Sequence, residues 1–68
     1  MILYDRLWEK LEEKHISQYR LIKTGISHST IMRLKNNQYV NLSTIDRLCE
    51  LLDCSIEEIV EYKKKKAF

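Results

Sequence analysis

Proline is absent from this 68-residue chain and glycine occurs once, at Gly25. Without proline kinks, and with a single residue that turns left-handed at little cost, the chain favours helices over strands and short connections over long loops. Cysteine is nearly absent too. Cys49 and Cys54 are too few for a disulfide scaffold, and their spacing puts them on different faces of a helix, so they are expected to serve as small apolar side chains. No apolar run approaches the roughly 18 residues needed to cross a bilayer, and Met1 to Tyr4 give way at once to Asp5 and Arg6. Neither a membrane span nor a secretory leader is expected, and the protein is placed in the cytoplasm.

Acid is missing from one long stretch. Ten acidic residues are spread over the chain, yet none lies between Lys14 and Ile45, which holds Lys14, Arg20, Lys23, Arg33, Lys35, His15 and His28. The net charge of +2 therefore averages over a purely basic middle and two acid-bearing flanks. A basic middle of this kind suits a polyanion.

A chain of this length makes one domain, and such a domain buries only about 60% of its unfolded surface. An all-helical bundle is expected. Tyr4, Leu7, Trp8 and Leu11 recur at helical spacing and predict a first helix over residues 3–14. Ser17 is a candidate cap for a second helix running from Gln18 to about Lys23 and burying Leu21 and Ile22, and Gly25 ends it. Ser27 caps a third helix whose buried stripe is Ile31 and Leu34, and which stops near Asn36-Asn37. Asn41 is a third cap candidate, for a fourth helix with Leu42, Ile45, Leu48, Cys49 and Leu52 in period. Ser55 and Glu58 match a capping box and predict a fifth, with Ile56, Ile59 and Val60 on its apolar side. Five short helices leave no room for a sheet. The domain is expected to cover residues 1–62, with a basic tail over 63–68.

Three pieces of this pattern resemble the lambda-repressor-like (Cro-type, XRE family) helix-turn-helix regulators: Ile16-Ser17-Gln18, Gly25-Ile26-Ser27, and Ser29-Thr30-Ile31 with Arg33-Leu34. The trailing run from Thr44-Ile45 through Leu48-Cys49 and Leu52 to Cys54-Ser55 and Glu57-Glu58-Ile59 matches the family's last two helices, and the likeness extends from Tyr4 to Tyr62. Two features depart from it. The stretch from Tyr19 to Thr24 is one residue shorter than is usual between the opening Gln and the turn Gly, and Ile22 stands where the family has a small residue.

The resemblance implies a five-helix, all-α fold in which the second and third helices form the helix-turn-helix. It implies that the exposed face of the third helix reads bases, here through His28, Ser29 and Arg33. The chemistry suits that role: Arg33 can donate twice to guanine O6 and N7, while His28 and Ser29 can donate or accept at base edges. Ser17, Gln18, Ser27, Thr30, Asn36 and Asn37 are then the backbone-contacting candidates, setting register rather than sequence. Lys63 to Lys66 are a solubilising run or a phosphate clamp.

In the family, subunits meet near the fifth helix, where the apolar candidates are Leu51, Ile56, Ile59 and Tyr62; several must also serve the monomer core, which favours Leu51 and Tyr62, off the main stripes. The partner expected is double-stranded DNA bearing a palindromic operator, bound by a homodimer that represses by blocking polymerase. The alternative is a protein-binding adaptor on the same fold, such as an antitoxin or inhibitor. Neither histidine has a paired carboxylate or cysteine at a catalytic spacing, so no enzymatic activity, metal site or cofactor is expected.

Overall fold

The computed structural model describes residues 1–64. In chain order these form β1 (Ile2–Leu3), α1 (Asp5–Glu13), α2 (Gln18–Lys23), α3 (His28–Lys35), α4 (Leu42–Leu52), a 3-10 turn (Ile56–Glu58) and β2 (Glu61–Tyr62). The core is aliphatic. Leu7, Leu21, Ile31, Leu34, Leu48, Leu52 and Ile59 are fully buried, drawing on α1 to α4 and on the segment after the 3-10 turn. Burying each such side chain contributes about 1.5–3 kcal/mol, which must offset the backbone entropy of so small a domain.

The four helices end alike. Each is followed by a residue in the left-handed region: His15 (φ 56), Gly25 (φ 105), Asn37 (φ 53) and Asp53 (φ 50). The next residue's N–H then reaches back over the turn to an otherwise free carbonyl: Ile16 to Leu11 at 2.9 Å, Ile26 to Leu21 at 3.2 Å, Gln38 to Arg33 at 2.8 Å and Cys54 to Cys49 at 3.1 Å. This closure satisfies carbonyls that a helix end leaves unpaired, and it folds the returning side chain against the last turn. The cysteines pack against the core as the small apolar side chains expected, but they are not kept apart on different faces. At the end of α4 the closure brings Cys54 back beside Cys49, and burial, with Cys54 close by, pushes the Cys49 thiol up from its ordinary value.

Two further expectations change. The chain from Ser55 onward is not a fifth α-helix, and the absence of any sheet does not hold. Ser55 and Glu58 form the anticipated capping box, with the Ser55 N–H donating to Glu58 Oε2 at 2.8 Å and its hydroxyl to the same atom at 3.2 Å. The helix stops after one 3-10 turn, however, and the chain extends to pair antiparallel with the N-terminus, Ile2 opposite Tyr62 and Leu3 opposite Glu61. Ile56, Ile59 and Val60 fit a helical period, but Ile, Val and Tyr also suit a strand, and the distant partner strand decides. The same pairing moves the start of the first helix from residue 3 to Asp5. Lys63 continues the ladder, donating to the Met1 carbonyl at 2.8 Å and accepting from the Met1 ammonium at 2.9 Å, one residue past the expected domain boundary. Lys65, Lys66, Ala67 and Phe68 lie outside the described residues, so most of the expected tail does too.

Ion pairs cluster on one part of the molecule. Arg6 meets Glu61 at 3.7 Å, and Lys10 meets both Glu13 at 3.6 Å and Glu58 at 3.5 Å. Glu58 is held below the usual carboxylate range first by the Ser55 N–H and hydroxyl and then by Lys10. Lys10 loses some charge preference to desolvation, but the carboxylates of Glu13 and Glu58 outweigh this and raise it. Tyr4 is raised mainly by burial.

Candidate nucleic-acid interface

α2, the turn at Gly25 and α3 form a helix-turn-helix whose outer side falls wholly within the acid-free window. Among the described residues, none of Lys14, Arg20, Lys23, Arg33 and Lys35 lies within 4 Å of a carboxylate, so their charge is left to the solvent. The caps of these two helices follow the sequence, whereas Asn41, the cap expected for α4, makes no side-chain cap hydrogen bond. The Ser17 hydroxyl accepts the Arg20 N–H and the Ser27 hydroxyl accepts the Thr30 N–H, both at 3.2 Å. Ser27 Oγ also meets the hydroxyls of Ser29 at 3.1 Å and Thr30 at 2.9 Å, gathering three hydroxyls at the start of α3.

Those caps fix which side chains α3 presents. Ile31 and Leu34 turn into the core, which leaves His28, Ser29, Met32 and Arg33 exposed on the other side, with Thr30 half-buried at its margin. Arg33 makes no side-chain hydrogen bond or ion pair among the described residues, so its guanidinium donors are available. Gln18 is exposed at the first position of α2. Beside it, the Lys23 ammonium sits 5.1 Å from the centre of the exposed Tyr19 ring.

The two asparagines after α3 are partly engaged within the chain. Asn36 Nδ2 donates to the Met32 carbonyl at 3.0 Å, and Asn37 Oδ1 accepts the N–H of buried Tyr4 at 3.0 Å, tying the end of α3 to the start of α1. The amide oxygen of Asn37 therefore has a structural task that the sequence did not announce. Ile22, expected in the core, is 42% exposed instead: in so short a helix Leu21 alone turns inward, and the bulk that departs from the family pattern is accommodated at the surface.

Among the interface candidates, Ile59 is corrected outright. It is fully buried in the monomer and has no surface to offer a partner. Ile56 is 47% and Tyr62 67% exposed, and Leu51 is half-buried. Tyr39 and Leu42, which the sequence did not single out for this role, are 79% and 76% exposed. They line an apolar groove of about 280 Å³ with Ile2, Tyr4, Val40, Ile45, Ile56 and Val60. Tyr39 lies in a loop, which carries no period, and Leu42, expected on the apolar stripe of the fourth helix, is instead exposed at the first position of α4.

Arg47 was also missed. It lies outside the acid-free window, between Asp46 and Glu50 on α4, yet the packing of α4 carries it to the turn, where Nη1 donates to the Thr24 carbonyl at 3.4 Å. Among the described residues, no helix is long and apolar enough to cross a membrane, and no three His, Cys, Asp or Glu side chains could hold a metal.

The sequence matches the Cro/C1-type HTH DNA-binding domain over residues 6–65, and the chain belongs to that family. It is similar to the solved structure of the transcriptional regulator VanUg, at 31% identity and a TM-score of 0.82, covering 88% of this chain and 81% of that one. No curated protein matches it.

Proposed function

We propose that this Cro/C1-type domain is a sequence-specific transcriptional regulator of the cytoplasm that inserts α3 in the major groove of double-stranded DNA as a homodimer, and represses by occluding polymerase. The observation that carries the reading is the exposed face of α3, where His28, Ser29 and Arg33, which has no ion pair among the described residues, stand within the acid-free stretch of sequence. A fork of donors on a rigid helix suits the two acceptors of guanine, O6 and N7. Arg33 reads that base, and His28 and Ser29 read the edges beside it. Ser17, Gln18, Ser27, Thr30, Asn36 and Asn37 hold the flanking phosphates, Asn37 through its Nδ2 or backbone, since its Oδ1 is taken. Likeness to a solved transcriptional regulator supports the regulatory role.

One α3 reaches three or four base pairs, too few to single out a genomic site, so two copies related by a two-fold axis bind an imperfect palindrome. Half-site centres lie about 10–10.5 base pairs apart, since both helices enter successive major grooves on one face of the duplex. Ile56, Tyr62 and Leu51 supply the contact between subunits, and the exposed Tyr39 and Leu42 extend the apolar surface available to it. The test is selection from a random duplex library, combined with mobility shifts over a salt series. A two-fold symmetric motif bound with steep salt dependence is expected. Absence of any duplex binding at low salt would overturn the reading in favour of a protein-binding adaptor, and an asymmetric motif would remove the dimer.

A further inference from the structure

Between the turn and the first two turns of α4 lies a cleft of about 210 Å³, lined by Gly25, Ile26, Ser27, Thr30, Ser43, Thr44 and Arg47. Its chemistry has one character. Four hydroxyls and a guanidinium line it, and no carboxylate does. The starts of two helices also meet there. Among the described residues the N–H groups of His28 and Ser29 on α3, and of Leu42 and Ser43 on α4, make no hydrogen bond, and the side chain of Asn41 caps nothing. Of these residues Ser43 lines the cleft itself, and Ser27 and Thr30 bring the first turn of α3 to it.

Arg47 supplies the formal charge. Among the described residues it has no carboxylate within 4 Å, although Asp46 and Glu50 flank it on the same helix, and its one hydrogen bond, to the Thr24 carbonyl, is long at 3.4 Å. The side chain is kept over the turn because Gly25 has no Cβ: one built there would lie 2.7 Å from Arg47 Nη1. A guanidinium without a carboxylate partner among the described residues, sharing one cleft with four hydroxyls, is suited to an oxyanion with several acceptor atoms.

We propose that this cleft binds a phosphate group, with Arg47 as its principal ligand and Ser27, Thr30, Ser43 and Thr44 as hydroxyl donors. Resting on the DNA-binding reading above, the phosphate is assigned to the DNA backbone, beside the bases reached by α3. A free phosphate would satisfy the same chemistry, and the experiment separates the two sources.

Arg47→Met keeps the aliphatic stem and a good helix former while removing the charge, and Arg47→Lys restores charge without the fork. Each is compared with wild type by thermal melting, by duplex binding over a salt series, and by amide NMR shifts on titration with inorganic phosphate in the absence of DNA. The expected result is unchanged melting, a roughly tenfold loss of affinity that is equal for selected and random duplexes, and a salt slope lower by about 0.9, the value of one phosphate contact. Arg47→Lys recovers the slope but only part of the affinity. Unchanged duplex binding together with phosphate-dependent shifts at Gly25, Ser27 and Ser43, lost in Arg47→Met, would assign the cleft to free phosphate and overturn the backbone assignment. No change in either arm would overturn the site itself. Because the phosphate arm needs no DNA, failure of the wild-type chain to bind duplex would refute the DNA reading, and the shifts with inorganic phosphate, present or absent, would then uphold or overturn the cleft.

Discussion

Gly25→Ala isolates the turn on which the whole interface depends. At φ +105 the backbone lies where an L side chain is strained, at a cost of about 1–3 kcal/mol, partly offset by about 0.4–1 kcal/mol because alanine restricts the unfolded chain. The new Cβ would also meet Arg47 Nη1 at 2.7 Å, but that atom ends a flexible, exposed side chain that can swing away, giving up only the 3.4 Å bond to Thr24. The net loss should be about 1–2 kcal/mol, most of it backbone strain. In a domain of this size that is a sizeable part of a total of roughly 3–10 kcal/mol, and it should lower the melting temperature by roughly 5–15 °C. A double-mutant cycle with Arg47→Ala, read by urea denaturation, separates the two contributions. Strain predicts that the loss persists in the Arg47→Ala background, with a coupling below about 0.5 kcal/mol. If the loss disappears there, the clash and not the backbone conformation is its source, and the reasoning is refuted.

The left-handed end of α4 invites the opposite change: Asp53→Gly removes a side chain that disfavours φ 50 and should stabilise by about 0.5 kcal/mol, measured as a higher urea midpoint. Asn37→Gly keeps the turn but leaves the Tyr4 N–H without its acceptor, so a loss of about 1–2 kcal/mol is expected; unaltered melting with weaker DNA binding would assign that side chain to phosphate instead. Because the Glu58 pKa is lowered from its ordinary 4.5, its contribution is fully present above about pH 4.5 and lost as the pH falls through the lowered value. Glu58→Gln should flatten the stability profile in that acid window, and an unchanged acid limb would show that the capping carboxylate carries no linkage. Arg33→Ala should leave melting unchanged and cost about 1–3 kcal/mol of discrimination at one base pair, whereas a loss spread evenly over all sequences would make Arg33 a phosphate ligand.

Local chemistry made much of this protein legible from its residues alone. The starts of α2 and α3 and the end of α2 could be read because Ser17, Ser27 and Gly25 act on backbone groups within a few positions, and α4 because Leu and Ile repeat at the helical period, although Asn41, the cap expected for it, makes no side-chain hydrogen bond. The basic surface was equally plain, since a window without acid stays without acid when most of its residues are exposed. What the tertiary structure decided involves partners far apart in sequence. Whether Ile59 and Val60 continue a helix or lead into a strand depends on Ile2 and Leu3, almost sixty positions away, and that pairing buries Ile59 and removes it from any subunit contact. Asn37 is committed by Tyr4, and Arg47 gains its place by packing over a glycine rather than by any neighbour along the chain. The cysteines fall between these cases: their five-residue spacing separates them on a helix, and only the left-handed turn at Asp53, a conformation unfavourable for most residues and taken here to close α4, brings them together.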